Sequence, residues 1–89
     1  MAYLFVHEKV ADYGTWRKVY DSLAEGKAAR GFIGAKVLKN SGDPKEIVIL
    51  ETWQSIDQAR SWGQSQEIKA AMKEAGVLPT PTVLFLEDA

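Results

Sequence analysis

The stretch EIVILETWQSIDQARSW, residues 46–62, opens as a strand and closes as a helix. Glu46 to Trp53 is apolar at nearly every interior position and rich in β-branched and aromatic residues, the pattern of a strand whose two faces are both covered. Ser55 and Gln58 then supply an S-x-x-Q capping box, so a helix starts where the strand stops. A buried strand leading straight into an amphipathic helix is the first part of a βαβ unit, and the remaining chain shows how it is completed.

Upstream, NSGDPK (Asn40 to Lys45) is a polar turn holding Gly and Pro, which makes residues 33–39 and 46–53 a hairpin. Residues 3–9 form another strand, with Tyr3, Phe5 and His7 on one face and Leu4, Val6 and Glu8 on the other. Asp12 is a good N-cap, and Tyr13, Trp16, Val19, Tyr20 and Leu23 then recur at helical spacing until Gly31 closes the helix. Downstream, Gly63 interrupts the second helix, SQEIKAAMKEA resumes it, Gly76 and Pro79 end it, and residues 82–87 supply a fourth strand. The alternating charges there, Glu67, Lys69 and Lys73, mark a solvated face.

The order is strand-helix-strand twice, a ferredoxin-like α+β arrangement, βαββαβ. Right-handed crossovers give an antiparallel sheet in the order 4-1-3-2 with strands 1 and 3 central. Two helices cover one face of such a sheet, yet YLFV, IVIL and TVLFL are apolar on both. An uncovered face bearing Leu4, Val6, Val48, Leu50 and either Leu84 or Phe85 would be a large apolar patch, and a second copy of the chain is its simplest cover. A homodimer joined through the sheet is the expectation.

With 89 residues, 46% of them hydrophobic and 26% charged, the chain suits one domain over residues 1–89. Eleven basic and twelve acidic residues leave a net charge of -1, which offers nucleic acid or an anionic membrane no electrostatic footprint. ARGFIGAKV (residues 29–37) echoes an RNA-recognition signature, but that signature belongs on the third strand, which here lacks exposed basic residues. Cysteine is absent, which removes disulfides and thiolate metal sites, and a lone histidine makes a protein-only transition-metal site unexpected. MAYLFVHEK has no basic leader and its apolar run is too short to span a membrane, so a cytoplasmic protein is the expectation.

The chemistry-bearing candidates are few. His7 and Glu51 sit on neighbouring antiparallel strands; on one face, the carboxylate would raise the basicity of the imidazole and make it a general base near neutral pH. The alternative is structural, with His7 bonded to a carbonyl and Glu51 paired with a lysine. Of the three tryptophans, Trp16 reads as core, and Trp62, beside the small Gly63, reads equally as core or as the wall of a pocket.

The stretch ETWQSIDQARSWGQSQEIKAAM, with VADYGTWRKVYD before it and AGVLPTPTVLFLE after it, resembles the antibiotic biosynthesis monooxygenase family of the dimeric α/β-barrel superfamily. The resemblance implies a homodimer whose two sheets form a barrel, with a pocket between sheet and helices in each subunit. It assigns the face bearing Tyr3, Phe5, His7, Ile49, Glu51 and Trp53 to that pocket, with Trp62 above it. Many relatives carry histidine at the place of Trp62. In the haem-degrading branch a strand asparagine, a helix tryptophan and an iron-ligating histidine fall here at His7, Trp62 and Met72, so the axial ligand of that branch is replaced. The activity implied is a cofactor-independent monooxygenase, or a cyclase or isomerase of polyketide-like substrates, acting on a small apolar or aromatic molecule. His7 with Glu51 would be catalytic, and Tyr3, Phe5, Trp53, Trp62 and Met72 would bind substrate. The competing class is a non-catalytic ligand-binding or structural dimerisation module.

Overall fold

The computed structural model describes residues 1–89. Its elements run β1 (Ala2–Lys9), α1 (Tyr13–Ser22), α2 (Ala24–Ala28), β2 (Phe32–Asn40), β3 (Asp43–Trp53), α3 (Ile56–Gly63), α4 (Gln66–Glu74) and β4 (Thr82–Glu87). The four strands form one antiparallel sheet in the order β2-β3-β1-β4, the expected ferredoxin-like topology.

Each expected helix is broken once. Asp12 caps α1 by accepting from the Thr15 backbone N–H at 2.8 Å, and the first helix yields to the short α2 at Leu23. Ser55 Oγ accepts the backbone N–H of Gln58 and donates to Gln58 Oε1 at 3.0 Å, so the capping box closes on the hydroxyl itself. After Gly63 the chain recaps: Ser65 Oγ accepts from the Ile68 N–H and starts α4. The hairpin is tighter than the polar composition of residues 40–45 suggests. Both strands extend into that segment and leave only Ser41 and Gly42 at the tip, where Asn40 Oδ1 accepts the Gly42 N–H at 2.8 Å.

The register decides which side chains face the helices. Along β1 and β3, Leu4 lies opposite Glu51, Val6 opposite Ile49 and Glu8 opposite Ile47. Even positions of β1 therefore share the helix-covered face with odd positions of β3. Tyr3, Phe5 and His7 point the other way, with Val48 and Leu50 of β3 and Leu84 and Leu86 of β4. This corrects two expectations. The pocket face does not carry Tyr3, Phe5 and His7, and the uncovered face does not carry Leu4 and Val6. Strands apolar on both faces have no internal parity signal, so only the register could settle the assignment.

Two buried clusters lie under the helices. One joins Ala2, Leu4, Trp53, Ala59 and Trp62; the other joins Val10, Trp16, Ile47, Ile49 and Ala75. On the uncovered face Leu38 and Leu84 are 48% and 46% exposed, and Leu50 and Leu86 are also exposed, so a band of leucine crosses β2, β3 and β4 without a cover in the single chain.

Two glycines fix close approaches. Gly31 has φ +104°, and a Cβ there would meet the Gln58 side chain at 2.5 Å. At Gly63 a Cβ would lie 2.8 Å from the Phe85 ring. On the side where its Cβ would point, Gly63 thus admits an aromatic side chain from β4. Gly63→Ala should destabilise the protein by about 1–3 kcal/mol through overpacking. In a Phe85→Leu background the sign should reverse, because only the better helix propensity of alanine, about 1 kcal/mol, remains; urea denaturation of the four proteins measures both.

Candidate functional site

A cavity of about 80 Å³ lies between the sheet and the helices, several times the minimum that holds one water molecule. Fourteen of its eighteen lining residues are hydrophobic, so it suits an apolar body with few polar anchors. β1 and β3 supply the floor through Leu4, Val6, Glu8, Ile49 and Glu51. The walls come from Trp16 and Tyr20 of α1, Trp62 of α3, and Ile68 and Met72 of α4.

Glu51 is 3% exposed and is held from three directions. Its Oε2 accepts from Tyr20 Oη and from Lys27 Nζ, both at 2.8 Å, and its Oε1 accepts from Trp53 Nε1 at 3.2 Å. Lys27 is itself only 2% exposed. Its ammonium lies 3.8 Å from the Tyr20 ring centroid and 4.4 Å from that of Phe32, so two aromatic faces and one carboxylate replace its water. Burial, the charge of Glu51 and the hydrogen bond to it push the Tyr20 hydroxyl well above its ordinary range, which keeps it a phenol and a donor.

Glu8 is the second buried carboxylate, and its surroundings differ. Trp16 Nε1 donates to its Oε1 at 2.9 Å, and no ion pair reaches it. Burial raises its carboxyl above the usual carboxylate range, and the Trp16 bond opposes that only in part. In register, the Val6–Ile49 level separates Glu8 from Glu51 on the same face. Trp16 and Tyr20 stack with centroids 5.0 Å apart, so the stacked pair is tied to one carboxylate at each end.

The expected site residues divide between two surfaces. Glu51, Trp62 and Met72 line the cavity. Trp53 lies behind it, fully buried, orienting Glu51 and packing against Phe32 and Trp62. The His7–Glu51 pairing is not formed, because the two side chains leave opposite faces of the sheet. His7 Nε2 instead lies 2.7 Å from Glu46 Oε2, and Glu46 also accepts from Asn40 at 2.7 Å. Those two hydrogen bonds, Asn40 first, hold the Glu46 carboxyl below its usual range. Tyr3 and Phe5 are on that same uncovered face, where Tyr3 Oη donates to Asp88 at 3.0 Å. Glu8, Tyr20 and Lys27 were not singled out from the sequence. Glu8 alternates with Leu4 and Val6, but without the register that alternation does not say whether it faces the helices.

Residues 1–74 match the antibiotic biosynthesis monooxygenase family. The chain belongs to that family. No curated protein matches it. Among solved structures it is similar to SnoaB, a cofactor-independent oxygenase from Streptomyces nogalater (TM-score 0.79, 13% identity, 99% of this chain and 92% of that one). It is also similar to a conserved protein from Methanosarcina mazei Go1 (TM-score 0.78, 14% identity, 99% and 92%). A crystallised antibiotic biosynthesis monooxygenase matches at TM-score 0.74 and 13% identity over 100% of this chain and 99% of that one. At such identities these structures corroborate the fold, and the chemistry must be argued from the cavity.

The buried pair yields a direct test. Lys27→Met strands the Glu51 carboxylate and should cost about 3–5 kcal/mol. Adding Glu51→Gln removes the stranded charge and should recover most of that loss, a strong coupling that chemical denaturation of the double-mutant cycle reads out.

Proposed function

We propose that the protein is a homodimer in which each subunit binds a small, largely apolar, aromatic molecule in the cavity between sheet and helices and oxygenates it without metal or flavin. The observation that carries this reading is the cavity itself: an apolar, aromatic-walled space that holds two buried carboxylates, one neutralised by Lys27 and one without a cation. Carboxylates whose environments differ in this way suit different tasks in acid–base chemistry. Membership of the antibiotic biosynthesis monooxygenase family and the fold shared with a cofactor-independent oxygenase support the reaction class.

In such a reaction a base removes a proton from an acidic carbon or hydroxyl, and the electron-rich substrate reduces molecular oxygen. Conversion of a methylene to a carbonyl balances without a further reductant: one oxygen atom enters the substrate, which loses two hydrogens, and the second oxygen leaves as water. A cyclase or isomerase uses the same proton abstraction without oxygen. Trp62 and the Trp16–Tyr20 stack would bracket the ring, and Met72 would adapt to its edge.

The dimer reading rests on the uncovered face, where Leu38, Leu50, Leu84 and Leu86 with Phe5 and Val48 make an apolar sheet surface. On this reading His7 and Tyr3 belong to the subunit interface and not to the reacting centre. The test couples assembly to activity. Sedimentation of the wild type should give a dimer, and Leu84→Lys should give a folded monomer. Oxygen uptake on a panel of phenolic substrates should survive His7→Ala within about a factor of ten, since removing a group outside the site forfeits no transition-state contact. A wild-type monomer refutes the assembly, and no uptake on any substrate refutes the oxygenase.

A further inference from the structure

Glu8 is 5% exposed, faces the cavity, and receives one hydrogen bond, from Trp16 to Oε1. No buried side-chain oxygen or nitrogen of the molecule is both enclosed and unpartnered, so Glu8 Oε2, which has no protein donor, keeps an opening; Glu8 borders the apolar cavity on one side and a polar cleft of His7, Lys9, Thr80 and Thr82 on the other. Most side-chain donors that line or border the cavity are committed elsewhere: Lys27, Tyr20 and Trp53 all serve Glu51, and Trp16 is already spent on Oε1, while the indole N–H of Trp62, on the α3 wall, makes no hydrogen bond to the protein. A carboxylate oxygen that keeps such an opening and has no donor of its own is free to accept a hydrogen bond from a ligand.

We propose that Glu8 is the polar anchor of the cavity, and that its Oε2 accepts a hydrogen bond from a hydroxyl group on a neutral, apolar ligand. This deepens the preceding reading and rests on it only for the cavity being a ligand site. Three features select the class. The only lining cation, Lys27, is neutralised by Glu51, so an anionic ligand finds no counter-charge and meets Glu8 as a like charge. The apolar lining favours a hydrocarbon or aromatic body. Oε2 then asks for one donor, which a phenol or enol supplies. If the proton transfers, the ligand O–H bond breaks, an O–H bond forms on Oε2, and the ligand keeps the electron pair as a phenolate or enolate. That puts Glu8, in place of His7, where the substrate proton goes.

The test is binding, followed by tryptophan fluorescence at pH about 8, where phenol is neutral and benzoate ionised, with phenol, anisole, benzoate and benzylamine as probes for wild type and Glu8→Gln. The substitution is informative because of Trp16. The indole N–H needs an acceptor, so in the variant it draws the new amide oxygen toward itself and turns the amide NH2 group to the cavity. Wild type should bind phenol about tenfold more tightly than anisole, the worth of one hydrogen bond to a charged group, with benzoate excluded. In Glu8→Gln the preference for phenol over anisole should vanish while anisole binding persists. Equal binding of phenol and anisole to wild type, or a preference that survives in Glu8→Gln, overturns the role of Glu8 but leaves the cavity as a ligand site. Tightest binding by protonated benzylamine overturns the neutral-hydroxyl class. Silence from every probe overturns both this inference and the reading on which it rests.

Discussion

The ion pair between Lys27 and Glu51 is the constraint on which the site is built. Taking an ammonium and a carboxylate out of water costs several kcal/mol for each ion, and the pair repays this only if its remaining donors and acceptors are met. Here they are met by the rings of Tyr20 and Phe32, the Tyr20 hydroxyl and the Trp53 indole N–H. These residues come from α1, α2, β2 and β3, so one polar network fastens the helical layer to the centre of the sheet. It also fixes one wall of the cavity. Tyr20 cannot leave Glu51 without uncovering Lys27, and Trp16, stacked on Tyr20, is held in turn against Glu8.

This arrangement separates the two carboxylates by role. Glu51 is held by three donors, one of them a cation, whereas Glu8 faces the same space with one donor and no cation. A buried ion pair is often neutral or unfavourable for stability compared with apolar packing. Its benefit here is positional: it consumes the only cation lining the cavity and leaves Glu8 as the group free to meet a ligand.

The sheet order, the hairpin and the caps at Asp12 and Ser55 were legible because they depend on local chemistry and on chain handedness. The apolar pattern also implied an uncovered sheet face. What could not be read was parity. With Leu4, Phe5 and Val6 all apolar, nothing within β1 tells which residues face the helices, and a one-residue change of register moves His7 from the pocket to the opposite face. The burial of Lys27 was equally hidden. Its segment, AEGKAAR, reads as a solvated turn of helix, and its partners Glu51, Tyr20 and Phe32 are brought to it only by tertiary packing. Gly63 shows that a small residue can do two things at once: it admits the ring of Phe85 where a Cβ would stand, and it still lines the cavity beside Trp62.

The central claim is that the space beneath α4 is a ligand site and not a packing defect. The chain has two methionines, Met1 at the exposed N-terminus and Met72 on the cavity wall, which gives an internal control. Methyl NMR of protein labelled at the methionine methyl carbons, titrated with phenol, is the most direct measurement. The account predicts that the Met72 methyl signal shifts and saturates while that of Met1 stays in place. An unmoved Met72 signal, or parallel drift of both without saturation, would contradict it.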